Sequence, residues 1–172
     1  IYDPDGEVLI DFETNNLLLM SYSIPVNASL SLTELLEHVI TDKVRPDWIP
    51  YSTSYYNDNW AFCIPYKIVK TLLEGQYRVV IESTKTPGEL LYAEAYIDNG
   101  AKTDVLISSY ICHPSMANDS LSGVVLAVQL YKELIKVNNL NYNYKFLFTP
   151  ETIGTICFLH KNNKTIKSTL EY

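Results

Sequence analysis

The stretch DVLISSYICHPSMANDSLSGVVLAVQLYKELIKVNNLNYNYKFLFTPE, residues 104–151, decides the fold. DVLISSYI (104–111) is nearly continuous in apolar and β-favouring residues, as in a buried strand. Over SLSGVVLAVQLYKELIKV (120–137), Val124, Leu126, Ala127, Leu130, Leu134 and Ile135 recur at helical spacing. NNLNYN is the loop out, and YKFLFT (144–149) is a second strand. Strand, helix and strand in that order predict a parallel pair with a right-handed crossover. The fold class is therefore α/β. Upstream, GELLYAEAYI (88–97) reads as a strand and DNG (98–100) as a tight turn joining it to the next. Downstream, ICFLHK (156–161) starts another helix.

That order fixes a geometry. His113 stands just past the carboxyl end of the first strand, Asp119 at the cap position of the crossover helix, and Glu151 just past the second strand. All three fall at the sheet edge where open α/β folds bind ligands. An imidazole and two carboxylates suit a zinc-type cation. Taken singly, each has a plainer reading: Asp119 as a helix cap, Glu151 as a solvated loop carboxylate, His113 as a hydrogen-bonded loop histidine. Their joint placement is what raises the metal reading. Gly123 and Gly154 allow close backbone approach beside it.

Residues 1–87 have a different texture from residues 88–172. The first part holds short strand-like runs, Val8–Phe12, Leu17–Ile24, Trp60–Ile64 and Tyr77–Ile81. Between them SLTELLEHVI (31–40) predicts a helix. Ser31 and Glu34 form its capping box, and Leu32, Leu35, Leu36 and Ile40 its apolar face. His38 falls off that face and reads as solvated. The aromatic-rich stretch Asp47–Tyr66 is broken by prolines and an NDN turn, and reads as a small aromatic core or as a wall beside a cleft.

With 172 residues, 47% hydrophobic and 19% charged, the chain has the balance of packed globular protein. Its net charge of −7 argues against nucleic acid and anionic membranes as partners. Apolar runs fall short of the roughly 20 residues of a membrane span. The opening IYDPDGEVLIDFE lacks a basic start followed by an apolar stretch, so no signal peptide is expected and the cytoplasm is the expected location. Cys63, Cys112 and Cys157 are expected to be buried reduced thiols. The glycosylation-like patterns at Asn27, Asn118 and Asn163 are then chance matches.

At HPSMANDSLSG (113–123), followed by PETIG (150–154), the sequence resembles a bacterial aminopeptidase-like family met among surface-polysaccharide genes. That family is similar to the co-catalytic zinc aminopeptidases, the group of leucyl aminopeptidases and glutamate carboxypeptidase. The resemblance covers nearly the whole chain, and WIPY, WAFC and GELLY belong to it. It implies part of a zinc-aminopeptidase-like (phosphorylase/hydrolase-like) sheet-and-helix domain at 88–172. A small, mostly β inserted domain at 1–87 would lie on its N-terminal side. It further implies that His113 binds one metal, that Asp119 bridges two, and that Glu151 is the general base. A cis peptide is implied at Asp119–Ser120. Two positions depart from the pattern: Thr152 falls where a ligand glutamate is expected, and Ser115 where a carboxylate supports the first histidine. One or two zinc ions are thus implied, with the second in doubt. The remaining ligands fall beyond Tyr172, so the chain is expected to be a fragment. His160 reads as a surface residue, not a replacement.

The expected activity is metal-dependent hydrolysis of an amide bond near a free amino group, in a small peptide or amino-acylated substrate, by an enzyme that has room to be a homo-oligomer. Two alternatives stand beside it. One is a catalytically degenerate binding or scaffold protein in surface-polysaccharide biosynthesis, and the other an amidohydrolase or deacetylase of an amino sugar.

Overall fold

The computed structural model describes residues 1–169 and forms two compact units, one over Ile1–Pro87 and the other from Gly88 onward.

The first unit contains β1 (Val26–Ser31), α1 (Leu32–Glu37), β2 (Val39–Ile40), β3 (Phe62–Cys63), α2 (Tyr66–Val69) and β4 (Gln76–Ile81). β1 and β4 pair antiparallel, and β2 and β3 pair in parallel. In β4, Tyr77, Val79 and Ile81 are buried while Gln76 and Arg78 are exposed, the period of a half-buried strand. These three join Ile1, Ile10, Leu18, Leu35, Phe62 and Ile64 in one core cluster. The capping box forms as expected. Ser31 Oγ accepts the Glu34 amide at 3.4 Å, and Glu34 Oε2 accepts the Ser31 amide at 2.8 Å.

Several local expectations fail for identifiable reasons. Val8–Phe12 forms only an isolated bridge from Val8 to Tyr2, because side chains of Asp3 and Asp11 close turns on either side. Leu17–Ile24 opens as a 3-10 turn, Asn16–Leu18, capped by Asn15, and Tyr22 at φ 66° interrupts the extended run beyond it. β1 was not among the expected strands, although Val26, Ala28 and Leu30 alternate with Asn27, Ser29 and Ser31 along it and are the less exposed side. The helix stops at Glu37, and the β-branched pair Val39–Ile40 instead joins Phe62–Cys63. His38 is not solvated: its Nδ1 lies 3.2 Å from the Trp60 carbonyl and its ring stacks on Trp60 at 3.7 Å. Leu35 is fully buried but Leu36 is 41% exposed. The aromatic stretch is only partly core. Trp60 packs against the cluster, whereas Trp48, Tyr55 and Tyr56 are exposed.

The second unit contains β5 (Ala93–Ile97), β6 (Asp104–Tyr110), α3 (Ser122–Leu134), β7 (Asn143–Thr149) and α4 (Ile153–Thr169). Its sheet has the order β5-β7-β6. β6 and β7 run parallel from Asp104 opposite Asn143 to Tyr110 opposite Thr149, the strand–helix–strand arrangement expected. The tight turn forms, with the Gly100 amide on Asp98 Oδ1 and Gly100 at φ 70°, but it joins strands that are not neighbours. β5 pairs antiparallel with β7 instead. Consecutive Phe146 and Leu147 are both buried, so β7 is covered on both faces. α3 buries Ala127 but leaves Val125 and Leu126 exposed, so its apolar stripe is only partly covered.

The amino-terminal ends of β6 and β7 are held by a polar cluster. Buried Asn143 accepts the Asn99 and Ala101 amides on Oδ1 and donates Nδ2 to the Ala101 carbonyl and to Asp104 Oδ1, satisfying its whole amide. Tyr96 donates its hydroxyl to the same Asp104 oxygen at 3.0 Å.

Candidate metal centre

The candidate site lies at the other end of those two strands. Because β6 and β7 are adjacent, parallel and in register at Tyr110 and Thr149, the segments leaving them emerge at one edge. After β6 come Ile111, whose amide still reaches the Thr149 carbonyl at 3.3 Å, then Cys112 and His113. After β7 come Pro150 and Glu151. His113 Nε2 lies 2.8 Å from Glu151 Oε2, a charge-assisted contact when the ring is protonated. The Glu151 amide donates to Cys112 Sγ at 3.1 Å. Ligand atoms of Cys112, His113 and Glu151 all lie within 4.8 Å of one another, and among the described residues this is the group with metal-ligand composition. The His113 side chain is 21% exposed and that of Glu151 46%, so the site opens to solvent on the carboxylate side.

Of the three residues singled out in the sequence, the structure brings His113 and Glu151 together and leaves Asp119 outside that group. Asp119 does not cap α3. The cap position is Leu121, with no side-chain hydrogen bond, and Asp119 sits just before it in the irregular segment Ala117–Leu121, exposed, at φ −127° and ψ 81°. The Asp119–Ser120 peptide is cis, the isomer that the resemblance implies. Ser120 Oγ donates to the Tyr110 carbonyl at 2.7 Å, tying this segment to the end of β6. Gly123 fits there closely: a Cβ on it would lie 2.7 Å from Ser109 Oγ. Gly154 behaves alike against Thr149, so both glycines serve close approach, as their sequence context suggested.

The two departing positions share a backbone trait. Ser115 and Thr152 both adopt left-handed φ, 62° and 57°. A β-branched residue rarely does so, and such conformations gather where loops are held for function. The cysteines divide three ways. Cys63 is buried as expected, Cys112 is half-buried, and Cys157 is exposed on α4, contrary to the expectation of three core thiols. Cys112 is the site residue that sequence reading missed. Its signal was position alone, next to His113 past the end of a strand. His160 is exposed, as a surface residue should be.

Sulfur, imidazole nitrogen and carboxylate oxygen are all zinc donors, and none of the three lies more than 4.8 Å from another, against the roughly 3–4 Å expected between donors around a tetrahedral ion. The donor set fits such a cation.

Residues 6–171 match the family described as Domain of unknown function (DUF4910). The chain belongs to that family. It is 44% identical over 168 residues, 98% of its length, to a Clostridium acetobutylicum protein. That relative is provisionally named a polysaccharide biosynthesis protein with an aminopeptidase-like domain. It also matches a crystal structure from Clostridium acetobutylicum, provisionally described as a peptidase, with a TM-score of 0.93 and 43% identity over 98% of this chain. The chain spans 38% of the first relative and 40% of the second. Among the described residues no helix is long and apolar enough to cross a membrane.

Proposed function

We propose that this DUF4910 chain supplies one side of a metal-dependent, aminopeptidase-like hydrolase site of the zinc-aminopeptidase class. It would act on an amide bond beside a free amino group in a small peptide or amino-acylated substrate. The observation that carries the reading is the 2.8 Å contact of His113 with Glu151 where two neighbouring parallel strands end. His113 is the first donor to the cation, and Asp119 the second donor that the resemblance implies. A zinc-type ion held there supplies Lewis acidity toward a carbonyl and a water at neutral pH.

Glu151 carries the proton transfers. Its carboxylate is nearly half exposed, which leaves an oxygen free to accept a proton from an attacking water and return it to the departing amine. His113 Nε2 rests on Glu151 Oε2 at 2.8 Å, and a cation bound at that nitrogen would replace this contact and leave the carboxylate beside the metal-bound water.

The test is Glu151→Gln in the full-length protein. Hydrolysis of an aminoacyl-nitroanilide should fall by about 10²–10⁴-fold, while bound zinc stays near the wild-type level. Full activity in that variant would remove Glu151 as the base. A second reading, a scaffold or binding module that keeps the fold without the chemistry, draws on Ser115 and Thr152, which offer hydroxyls where carboxylates were expected. It requires less than about one zinc per full-length chain after reconstitution. Parallel assay of N-acetylated amino sugars distinguishes a deacetylase from a peptidase.

A further inference from the structure

We infer that Cys112 is itself a donor to the cation, a sulfur ligand that compensates for the carboxylates missing at Ser115 and Thr152. The inference rests on the proposed metal site at His113 and goes one ligand further.

Consecutive residues of a strand point to opposite faces. Cys112 and His113 are consecutive, yet the ligand atoms of both come within 4.8 Å of those of Glu151. The chain achieves this by leaving the pleat after Tyr110 and entering a turn at His113. The thiol is not packed into the core as Cys63 is; it is half-buried at the mouth of the group. Its sulfur is also oriented. The Glu151 amide donates to Sγ at 3.1 Å, and outer hydrogen bonds of this kind aim a ligand and set its basicity. The residue that provides the carboxylate thereby positions the sulfur through its own backbone.

Cys112 and His113 would then give a thiolate and an imidazole, two zinc donors beside the Glu151 base, with positions left for a further carboxylate and for water or substrate. A sulfur donor also sets preference. It favours zinc, cobalt or cadmium over magnesium or manganese, which oxygen ligands alone would suit. The bland alternative is that Cys112 only accepts the Glu151 amide and braces the loop.

Cobalt(II) separates the two, because a thiolate ligand gives a sulfur-to-cobalt charge-transfer absorption in the near ultraviolet that nitrogen and oxygen donors do not. The full-length protein is titrated with cobalt in a phosphine reductant. The expected result is a charge-transfer band rising with the visible cobalt bands, in wild type and in the Cys63→Ser, Cys157→Ser double variant. In Cys112→Ser the band disappears and cobalt binding weakens about tenfold or more. Reading the band in wild type and the double variant keeps the result independent of whether Cys112→Ser folds. Visible cobalt bands without charge transfer, or a band that survives in folded Cys112→Ser, overturn the role of Cys112 and leave the His113 site standing. Failure of wild type to bind cobalt overturns both.

Discussion

Gly154 gives the sharpest test of how the site edge is built. It is buried in the first turn of α4, three residues after Glu151. An ideal Cβ there would lie 2.0 Å from Thr149 Oγ1, 2.9 Å from Pro150 Cδ and 3.2 Å from Thr149 Cβ. Ordinary carbon–oxygen contact is near ~3.2 Å, so Gly154→Ala demands a displacement of roughly 1 Å. Thr149 cannot swing into solvent because it is fully buried. Turning its χ1 relieves only the shortest contact, and the proline ring cannot rotate away. Overpacking of this kind costs about 1–3 kcal/mol. With a urea slope of about 1–3 kcal/mol/M, the midpoint should fall by roughly 1 M. Far-ultraviolet circular dichroism follows the transition, and hydrogen exchange of the β7 amides should quicken. The cost of Gly154→Ala should drop by more than half in a Thr149→Ala background, a coupling that a double-mutant cycle measures. A midpoint shift below about 0.2 M, or full additivity with Thr149→Ala, would refute the steric argument.

Three further outcomes are expected. Leu35→Ala should lower stability by about 3 kcal/mol and Leu36→Ala by less than about 1, because only the first is buried; equal losses in urea melts would contradict the core assignment. Ser31→Ala should cost about 1 kcal/mol through loss of the α1 cap. The Ser31 hydroxyl, and then its backbone amide, hold the Glu34 carboxyl below the usual range, so this contribution is present above the ordinary value of about 4.3 and is lost as pH falls through the folded value. The stability gap between wild type and Ser31→Ala should therefore narrow below about pH 4 in acid melts. Burial pushes the Cys63 thiol up to about 11, whereas Cys157 is exposed. A disulfide reagent at about pH 8 should label Cys157 rapidly and Cys63 only on unfolding, and equal rates at both would contradict the structure.

The sequence was legible where one segment's pattern sufficed. The alternation in Tyr77–Ile81, the capping box at Ser31 and the strand–helix–strand order of 104–149 each arise from local periodicity or spacing, and each is present. What failed depended on partners distant in the chain. Val39–Ile40 leaves a helical pattern because Phe62–Cys63 offers a strand, and β5 passes over its sequence neighbour to pair with β7. His38 looked solvated because nothing in a helical wheel announces the Trp60 ring 22 residues away. At the site, parallel strand ends sufficed to bring His113 and Glu151 together. The turn of the chain that brings Cys112 to Glu151 left no periodic trace, and the irregular backbone over Ala117–Leu121 carries Asp119 away from a cap position.

The cluster around Asn143 and Asp104 has a bearing on how this fold tolerates change. Strand alignment is locked by saturated amide bonds at one end of β6 and β7, while the reactive side chains hang from the other, some seven residues and about 20 Å along. Alignment and chemistry are thus anchored separately on the same pair of strands. Substitution after Tyr110 or Thr149 can vary the donor set without unzipping the ladder that carries it, which makes this edge a socket open to swapping ligands one at a time.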